Sequence, residues 1–277
     1  AEDAFEMVLE KSEPHMGVML TYPETITENP KQFPASSVTP GGCVLGVIGA
    51  GNFARAVLLP ELKKMSGVAL HTIATKRGAS SDHAQDTFGF AHAATDEAAV
   101  LDNPDINAVL IATRHDSHAG FVLEALRSGK HVFVEKPLCL TIEELEDIAK
   151  TCSETQTGKS DPVLMVGFNR RFSPHVRRIK ELLHGVSGPK AFVMTVNAGK
   201  VPADHWTHDP EKGGGRIVGE ACHFIDLLRF LSGSSIKTWQ RMEMESSTGD
   251  TVTLQIGFAD GSVGTIHYFA NGSKAFP

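Results

Sequence analysis

The sequence predicts an α/β protein that joins a doubly wound parallel sheet to a second α/β domain with an open, mainly antiparallel sheet. Between residues 43 and 160, short apolar runs alternate with helical patterns, an order typical of parallel sheets covered by helices. Beyond residue 160, three strand-like runs at 236–245, 250–259 and 262–270 follow one another with short turns, which favours antiparallel pairing.

The elements follow from local signals. Apolar runs predict buried strands, Gly129 ends one helix, and Thr141 with Glu144 forms a capping box that opens another. In the first domain we predict strands at 43–48, 68–74, 107–112 and 131–134, and helices at 52–65, 81–87, 116–128 and 141–153. In the second domain we predict strands at 163–166 and 190–197 and helices at 173–184 and 219–231, before the three final strands.

The length of 277 residues suits one large or two ordinary domains. Residues 1–22 have a helix-like pattern, and residues 23–42, rich in proline and ending in two glycines, are interpreted as a linker. We therefore predict a nucleotide-binding domain over 43–160 and a substrate or oligomerisation domain over 161–277.

Composition excludes several classes of protein. The net charge is −7, with 26 Lys and Arg against 33 Asp and Glu, which argues against a nucleic-acid partner. No apolar run is long enough to span a membrane, and the acidic N-terminus does not resemble a secretory signal. The four cysteines form no C-x-x-C pair, so reduced thiols and a cytoplasmic location are expected.

A glycine turn follows the first predicted strand. Gly49-Ala50-Gly51-Asn52-Phe53-Ala54 has the pattern G-x-G-x-x-A, in which Gly49 permits the turn and Gly51 lets the backbone approach a pyrophosphate. Ala54 is small enough for the helix to pack closely on the strand. A Rossmann-type dinucleotide site is therefore predicted, the alternative being a purely structural turn.

The end of the second strand bears on the choice of cofactor. Where a carboxylate would bind the ribose 2′-hydroxyl of NAD, the sequence has Thr75, Lys76 and Arg77. The two basic side chains suit the 2′-phosphate of NADP, so NADP is preferred over NAD. A solvated basic turn without any cofactor role is the alternative.

Several segments together resemble the glucose–fructose oxidoreductase/inositol dehydrogenase/MocA family. They are VIGAGNFA (47–54), NAVLIAT with its following His118 (107–118), GKHVFVEKP (129–137), GFNRRFSP (167–174) and GGGRIVGEACHFID (213–226). The resemblance implies a Rossmann domain, a second domain whose open sheet faces the nicotinamide, and oxidation or reduction of a sugar or cyclitol hydroxyl.

The resemblance also implies roles for individual residues. Lys136 of the Glu-Lys-Pro motif would handle the proton, with a cis bond often found before Pro137, and His223 would contact the reacting hydroxyl. The family aspartate four residues before this histidine is Gly219 here, so either Glu220 substitutes for it or Lys136 and His223 act alone. Cofactor contacts are predicted for the residues that follow the third and fourth strands, namely Ala112, Thr113, His118, Glu135 and Lys136.

Substrate contacts are predicted at two places. Arg170 and Arg171 suit a carboxylate or a nucleotide-sugar phosphate, with an interdomain salt bridge as the alternative. Trp206 belongs to a predicted substrate loop. His205, His208 and Asp209 flank that tryptophan, but they lack a fourth ligand nearby, so no metal site is predicted.

Residues 1–23 resemble the end of a zinc-dependent medium-chain alcohol dehydrogenase, so the sequence is interpreted as part of a longer fusion, also shortened at its C-terminus. A second hypothesis is a catalytically silent dinucleotide-binding module that associates through its open sheet. In both cases a homo-oligomer formed through the C-terminal sheet is expected.

Overall fold

The computed structural model describes residues 42–156, 158, 161–246, 248–273 and 275. The predicted N-terminal remnant at 1–22, its resemblance to an alcohol dehydrogenase and nearly all of the predicted linker lie outside these residues. The described part of the chain forms two sheets, each with its own helices and apolar core.

The first sheet is parallel throughout and has the strand order β3-β2-β1-β4-β5-β6. Its strands are β1 (Cys43–Ile48), β2 (Val68–Ala74), β3 (His92–Ala94), β4 (Ala108–Ile111), β5 (His131–Val134) and β6 (Leu164–Val166). The order reverses between β1 and β4, and the carboxyl ends of strands at such a switch point form the ligand-binding crevice of doubly wound sheets.

The helices associated with this sheet begin close to the predicted positions. They are α1 (Leu59–Lys63), which continues a π-helical segment (Ala54–Leu58), α2 (Gly78–Phe88), α3 (Ala98–Leu101), α4 (His118–Arg127) and α5 (Ile142–Thr155). Thr141 and Glu144 form the predicted capping box of α5. In contrast, α2 begins at Gly78, three residues before the predicted start, with Arg77 at its N-cap position.

Branched apolar residues of the central strands form the core around the first sheet. Val47, Val109 and Val134 are fully buried. Val109 and Val134 pack with Val122 of α4 in one apolar cluster, whereas Val47 belongs to the cluster that includes Leu59 of α1. Burial of both faces of these strands explains why their sequences are continuous apolar runs without alternation.

The second sheet has the order β7-β10-β9-β8, in which β7 and β10 run parallel and the other neighbours antiparallel. Its strands are β7 (Ala191–Asn197), β8 (Ile236–Glu243), β9 (Val252–Phe258) and β10 (Val263–Phe269), and its helices are α6 (Pro174–His184) and α7 (Cys222–Ser232). The prediction of a mainly antiparallel second sheet is confirmed. The strand predicted at 163–166 pairs with β5, so the first sheet continues past residue 160, where the domain boundary was predicted.

Helix α7 covers one face of the second sheet. Phe224 and Leu228 pack in one apolar cluster with residues of β9 and β10, among them Ile266 and the fully buried Tyr268. The strand β8, by contrast, is exposed along its whole length. All four cysteines are free thiols, and no helix within the described residues has the length and apolar character needed to span a membrane.

Candidate active site

The glycine turn directly follows β1. Gly49 has a φ of +92°, and its amide donates a hydrogen bond of 2.9 Å to the Ala74 carbonyl at the end of β2. A β-carbon on Gly49 would lie 2.5 Å from the carbonyl oxygen of Ala112 at the end of β4. Glycine is therefore required at position 49 both by backbone conformation and by the close approach of β4.

Two features fit a dinucleotide at this edge of the sheet. Gly51 is exposed, and apart from its chain neighbours a β-carbon there would meet one atom, the Ala112 oxygen at 3.8 Å. Glu135, directly after β5, has a buried Oε1 without a hydrogen-bond partner in the described residues. The open space beside Gly51 suits a pyrophosphate, and the unpaired Glu135 oxygen suits a ribose hydroxyl.

The other predicted cofactor residues lie around the same edge. Asn52 and Phe53 are exposed at the start of the helix that follows the turn, and Lys76 and Arg77 are exposed after β2. Thr75 is half-buried, and its hydroxyl donates to the Arg77 carbonyl at 2.8 Å, which holds this basic turn in shape.

The hydroxyls of Thr113 and Ser117 lie 2.7 Å apart after β4, in a turn that leads into α4. His118 opens α4 and is fully buried. Its Nδ1 lies 2.7 Å from the Pro137 carbonyl and its Nε2 lies 3.3 Å from the Thr113 carbonyl. Because a carbonyl oxygen only accepts, Nδ1 is the donor in the shorter of these contacts. His118 thus contacts the loop after β5 in this structure, and the cofactor contact predicted for it stays a prediction.

Lys136 extends from the loop after β5 to the helical segment that precedes α7. Its Nζ donates a hydrogen bond of 2.8 Å to the Gly219 carbonyl, and the bond between Lys136 and Pro137 is cis, as the family resemblance implies. Burial raises the pKa of the neighbouring Glu135 carboxyl, and the Lys136 ammonium partly offsets this rise. The contact brings the lysine against the helical turn that carries His223.

His223 lies in the first turn of α7 and is 8% exposed. Its Nδ1 is buried and has no hydrogen-bond partner within the described part of the chain. Burial lowers the pKa of His223 to about 4, and the positive charges of Lys136 and Arg170 contribute to this shift. The imidazole is therefore neutral at pH 7 and has an unsatisfied nitrogen beside an ammonium group.

Glu220 takes part in a separate network. Its Oε2 accepts hydrogen bonds from Arg216 at 3.1 and 3.0 Å and from the hydroxyl of Tyr268. Arg216 and Tyr268 are both buried, and Arg216 also pairs with Asp250 at 3.5 Å. These contacts hold the Glu220 carboxylate against the second sheet, which suits positioning of its helix better than the proton transfer predicted for it.

The adjacent arginines at 170 and 171 have different surroundings. Arg171 forms a two-pronged ion pair with Asp226 of α7, one bond measuring 2.6 Å, and Asp226 is 8% exposed. Arg170 is exposed, and its guanidinium carbon lies 4.6 Å from the centre of the Phe224 ring. Arg171 therefore forms a salt bridge within the predicted second domain, whereas the alternative hypothesis was a salt bridge between domains. Of the two arginines, Arg170 presents its charge to solvent.

His115 has no role predicted from the sequence. Its Nδ1 lies 2.9 Å from the Gly213 carbonyl, and its ring meets Trp206 edge-on with 4.9 Å between centroids. A β-carbon on Gly219 would lie 2.9 Å from the His115 ring, so the ring occupies the space of a side chain at that position. The sequence shows only that His115 lies three residues before His118. Its partners Gly213 and Trp206 are distant in sequence, so no local pattern indicates these contacts.

The histidines beside Trp206 have local partners. His205 Nδ1 lies 2.9 Å from the Thr207 hydroxyl, and Asp209 pairs with Lys212 at 2.8 Å. The Nε2 of His208 is buried and has no partner in the residues that the structure describes. Within those residues no group of three or more His, Cys, Asp or Glu side chains is arranged to hold a metal ion.

Both parts of the chain match models of known protein families. Residues 44–159 match the model of an oxidoreductase family with an NAD-binding Rossmann fold, and residues 176–275 match the C-terminal domain of GFO/IDH/MocA proteins. The chain belongs to the GFO/IDH/MocA family. The predicted family and fold class are thereby confirmed, and the glycine turn and the Glu-Lys-Pro loop both lie in the NAD-binding part of this GFO/IDH/MocA protein.

The relatives of this GFO/IDH/MocA protein include cyclitol and sugar dehydrogenases. A myo-inositol 2-dehydrogenase from Thermotoga maritima is 26% identical over 80% of this chain and 67% of the relative. A scyllo-inositol 2-dehydrogenase (NAD(+)) from Bacillus subtilis is 33% identical over 50% of this chain and 38% of the relative. The solved structure of a levoglucosan dehydrogenase with NADH and levoglucosan gives a TM-score of 0.72 at 25% identity, over 84% of this chain and 68% of that one. The chain thus spans about two thirds or less of the inositol dehydrogenases it matches.

Proposed function

We propose that the protein is a nicotinamide-dependent oxidoreductase that transfers a hydride between the cofactor and a hydroxyl-bearing carbon of a sugar, nucleotide sugar or cyclitol. The observation that carries the proposal is the 2.8 Å hydrogen bond from Lys136 Nζ to the Gly219 carbonyl. It joins the ammonium group at the edge of the first sheet to the helical turn that carries His223. The names of the dehydrogenase relatives support the same reaction class.

The side chains divide the work as follows. A nicotinamide bound at the glycine turn would supply or accept the hydride. Lys136 uses one of its three protons on Gly219, so the others remain for the oxygen of the substrate. Neutral His223 has an unpartnered nitrogen that hydrogen-bonds the same hydroxyl and takes up or returns its proton. The Arg171–Asp226 ion pair keeps α7, and hence His223, in place.

For the cofactor we propose contacts from the glycine turn, from Glu135 and from the turn at residues 75–77. The NAD-binding family model and the NADH complex of the levoglucosan dehydrogenase favour NAD(H). The exposed Lys76 and Arg77 favour NADP(H), since β2 is followed by basic residues and no carboxylate. Titration of the protein with NADH and NADPH, followed by their fluorescence, discriminates the two, and a Lys76→Ala, Arg77→Ala variant loses affinity only for the phosphorylated cofactor.

Turnover tests the reaction itself. The purified protein is incubated with NAD⁺ or NADP⁺ and with myo-inositol, D-glucose, levoglucosan, D-glucuronate or UDP-glucose, and the absorbance of the reduced nicotinamide is followed. We expect turnover with at least one of these alcohols. Tight cofactor binding without turnover on any of them would support the silent binding module instead.

We also propose that the protein associates through its second sheet. Large apolar side chains project from the face opposite α7, with Val193 77% and Met242 71% exposed. Pairing of two such faces would bury this apolar surface. Light scattering is expected to give a mass above the monomer at micromolar concentration, and a monomer would contradict the proposal.

The free thiols agree with the predicted cytoplasmic location, which stays a prediction.

A further inference from the structure

His223 is surrounded by charged side chains. Lys136 and Arg170 bring positive charge to this histidine, and Asp226 and Glu220 bring negative charge. Asp226 pairs with Arg171, and Glu220 shares Arg216 with Asp250. Lys136 has the Glu135 carboxyl beside it, whereas Arg170 forms no ion pair within the described residues.

A third cation lies beside Trp206. Arg114 is exposed and lies 5.8 Å from the centre of the Trp206 ring. Trp206 contacts His115, which in turn abuts Gly219, whose carbonyl accepts the Lys136 hydrogen bond. Arg114 likewise forms no salt bridge in the part of the chain that the structure describes.

Arg170 is held in a way that suits ligand binding. Its guanidinium lies over the face of Phe224, the residue after His223, at 4.6 Å from the ring centre. Stacking of this kind restrains the arginine while its five N–H donors stay free for a planar anion. An arginine without an ion pair beside His223 is not explained by composition, because the net charge of the chain is −7.

We propose that the site selects an anionic sugar, one that carries a carboxylate or a phosphate, and that Arg170 binds this anionic group. The inference rests on the proposed function and specifies its substrate class. A neutral cyclitol would leave the charge of Arg170 unmatched, whereas a sugar acid or a nucleotide sugar would pair it through charge-assisted hydrogen bonds.

Fluorescence of Trp206 measures binding independently of turnover. The sequence contains two tryptophans, and a Trp239→Phe background leaves Trp206 as the single reporter. D-glucuronate tests a carboxylate, UDP-glucose tests a phosphate, and D-glucose is the neutral match for both. We expect at least one anion to bind about ten- to a hundredfold more tightly than glucose, with a preference that weakens as salt is added.

Variants assign this preference to Arg170. In Arg170→Gln the anion and glucose should bind within about threefold of each other, and Arg170→Lys should retain part of the preference because it keeps the charge. Arg178→Gln is the matched control, since Arg178 is an exposed arginine on α6 that pairs with Glu181. That variant should bind the anion as the wild type does.

The outcomes separate the two proposals. Equal binding of glucose and both anions, or an unchanged preference in Arg170→Gln, would overturn the anion inference even if neutral sugars are turned over. A preference that depends on Arg170 supports the inference. If such a preference were found without turnover of any tested sugar, the hydride-transfer proposal would fail and the ligand preference would stand.

Discussion

Alanine substitution at the two glycines of the turn after β1 separates a structural role from a binding role. Gly49 has a φ of +92°, and a β-carbon at this position would lie 2.5 Å from the Ala112 carbonyl oxygen. Gly51 lacks the positive φ. A β-carbon at this position would lie 3.8 Å from the same oxygen and would meet no other atom apart from those of the adjacent residues. Gly49→Ala should therefore destabilise the fold, and Gly51→Ala should not.

The magnitudes follow from these contacts. A left-handed conformation costs an alanine roughly 1–2 kcal/mol, and the overpacking against Ala112 adds about 1–3 kcal/mol. The free energy of unfolding of Gly49→Ala should fall by about 2–5 kcal/mol, which lowers Tm by at least about 4 °C. For Gly51→Ala we expect a change within about 0.5 kcal/mol. Its new methyl occupies the space proposed for the pyrophosphate, so affinity for the dinucleotide should drop at least about tenfold.

Two assays test the predicted loss of stability and the predicted loss of dinucleotide affinity. Thermal unfolding followed by circular dichroism gives Tm, and titration with NADH and NADPH followed by their fluorescence gives Kd. The reasoning is refuted if Gly51→Ala binds the dinucleotide as tightly as the wild type, because the cradle is then elsewhere. It is also refuted if Gly49→Ala unfolds at the wild-type temperature.

Three further predictions concern stability. Arg171→Ala leaves the Asp226 carboxylate buried without its partner, so urea unfolding should show a loss of about 3 kcal/mol, and a loss below about 0.5 kcal/mol would contradict the ion pair. Burial lowers the pKa of His115 and of His223 to about 4, so between pH 6.5 and 4 the unfolded state binds more protons. The free energy of unfolding should therefore fall as the pH falls through that window, and a double His→Gln variant should show a smaller fall; identical pH profiles would oppose this. Thr141→Ala removes the N-cap of α5 and should cost about 1 kcal/mol in the same assay, unless the capping box contributes nothing.

Most of the fold follows from local pattern, and the exceptions are short elements. The strands β1, β2, β4 and β5 were predictable because their apolar runs are buried on both faces. The strand β3 has only three residues, His92–Ala94, without a branched apolar side chain, and it exists because β2 offers it a free edge. Helix α3 is a single turn of four residues, too short for helical periodicity to be visible.

The candidate site shows the same division. The glycine turn and the Glu-Lys-Pro loop are motifs, so their place at the carboxyl edge of the first sheet could be predicted. The contact between Lys136 and Gly219 spans 83 residues, and no local pattern indicates it. Arg170 and Arg171 are neighbours of the same residue type, yet the turn at Asn169–Phe172 directs one to Phe224 and the other to Asp226.

The central claim is that Lys136 acts in the chemical step of a nicotinamide-dependent hydride transfer. The most direct measurement is the turnover number of Lys136→Met beside its cofactor Kd, determined with the alcohol that the wild type turns over. Methionine keeps the length and packing of the side chain and removes its protons. The account predicts a turnover number about 10²- to 10⁴-fold lower with the cofactor Kd unchanged. Turnover at the wild-type rate would contradict it.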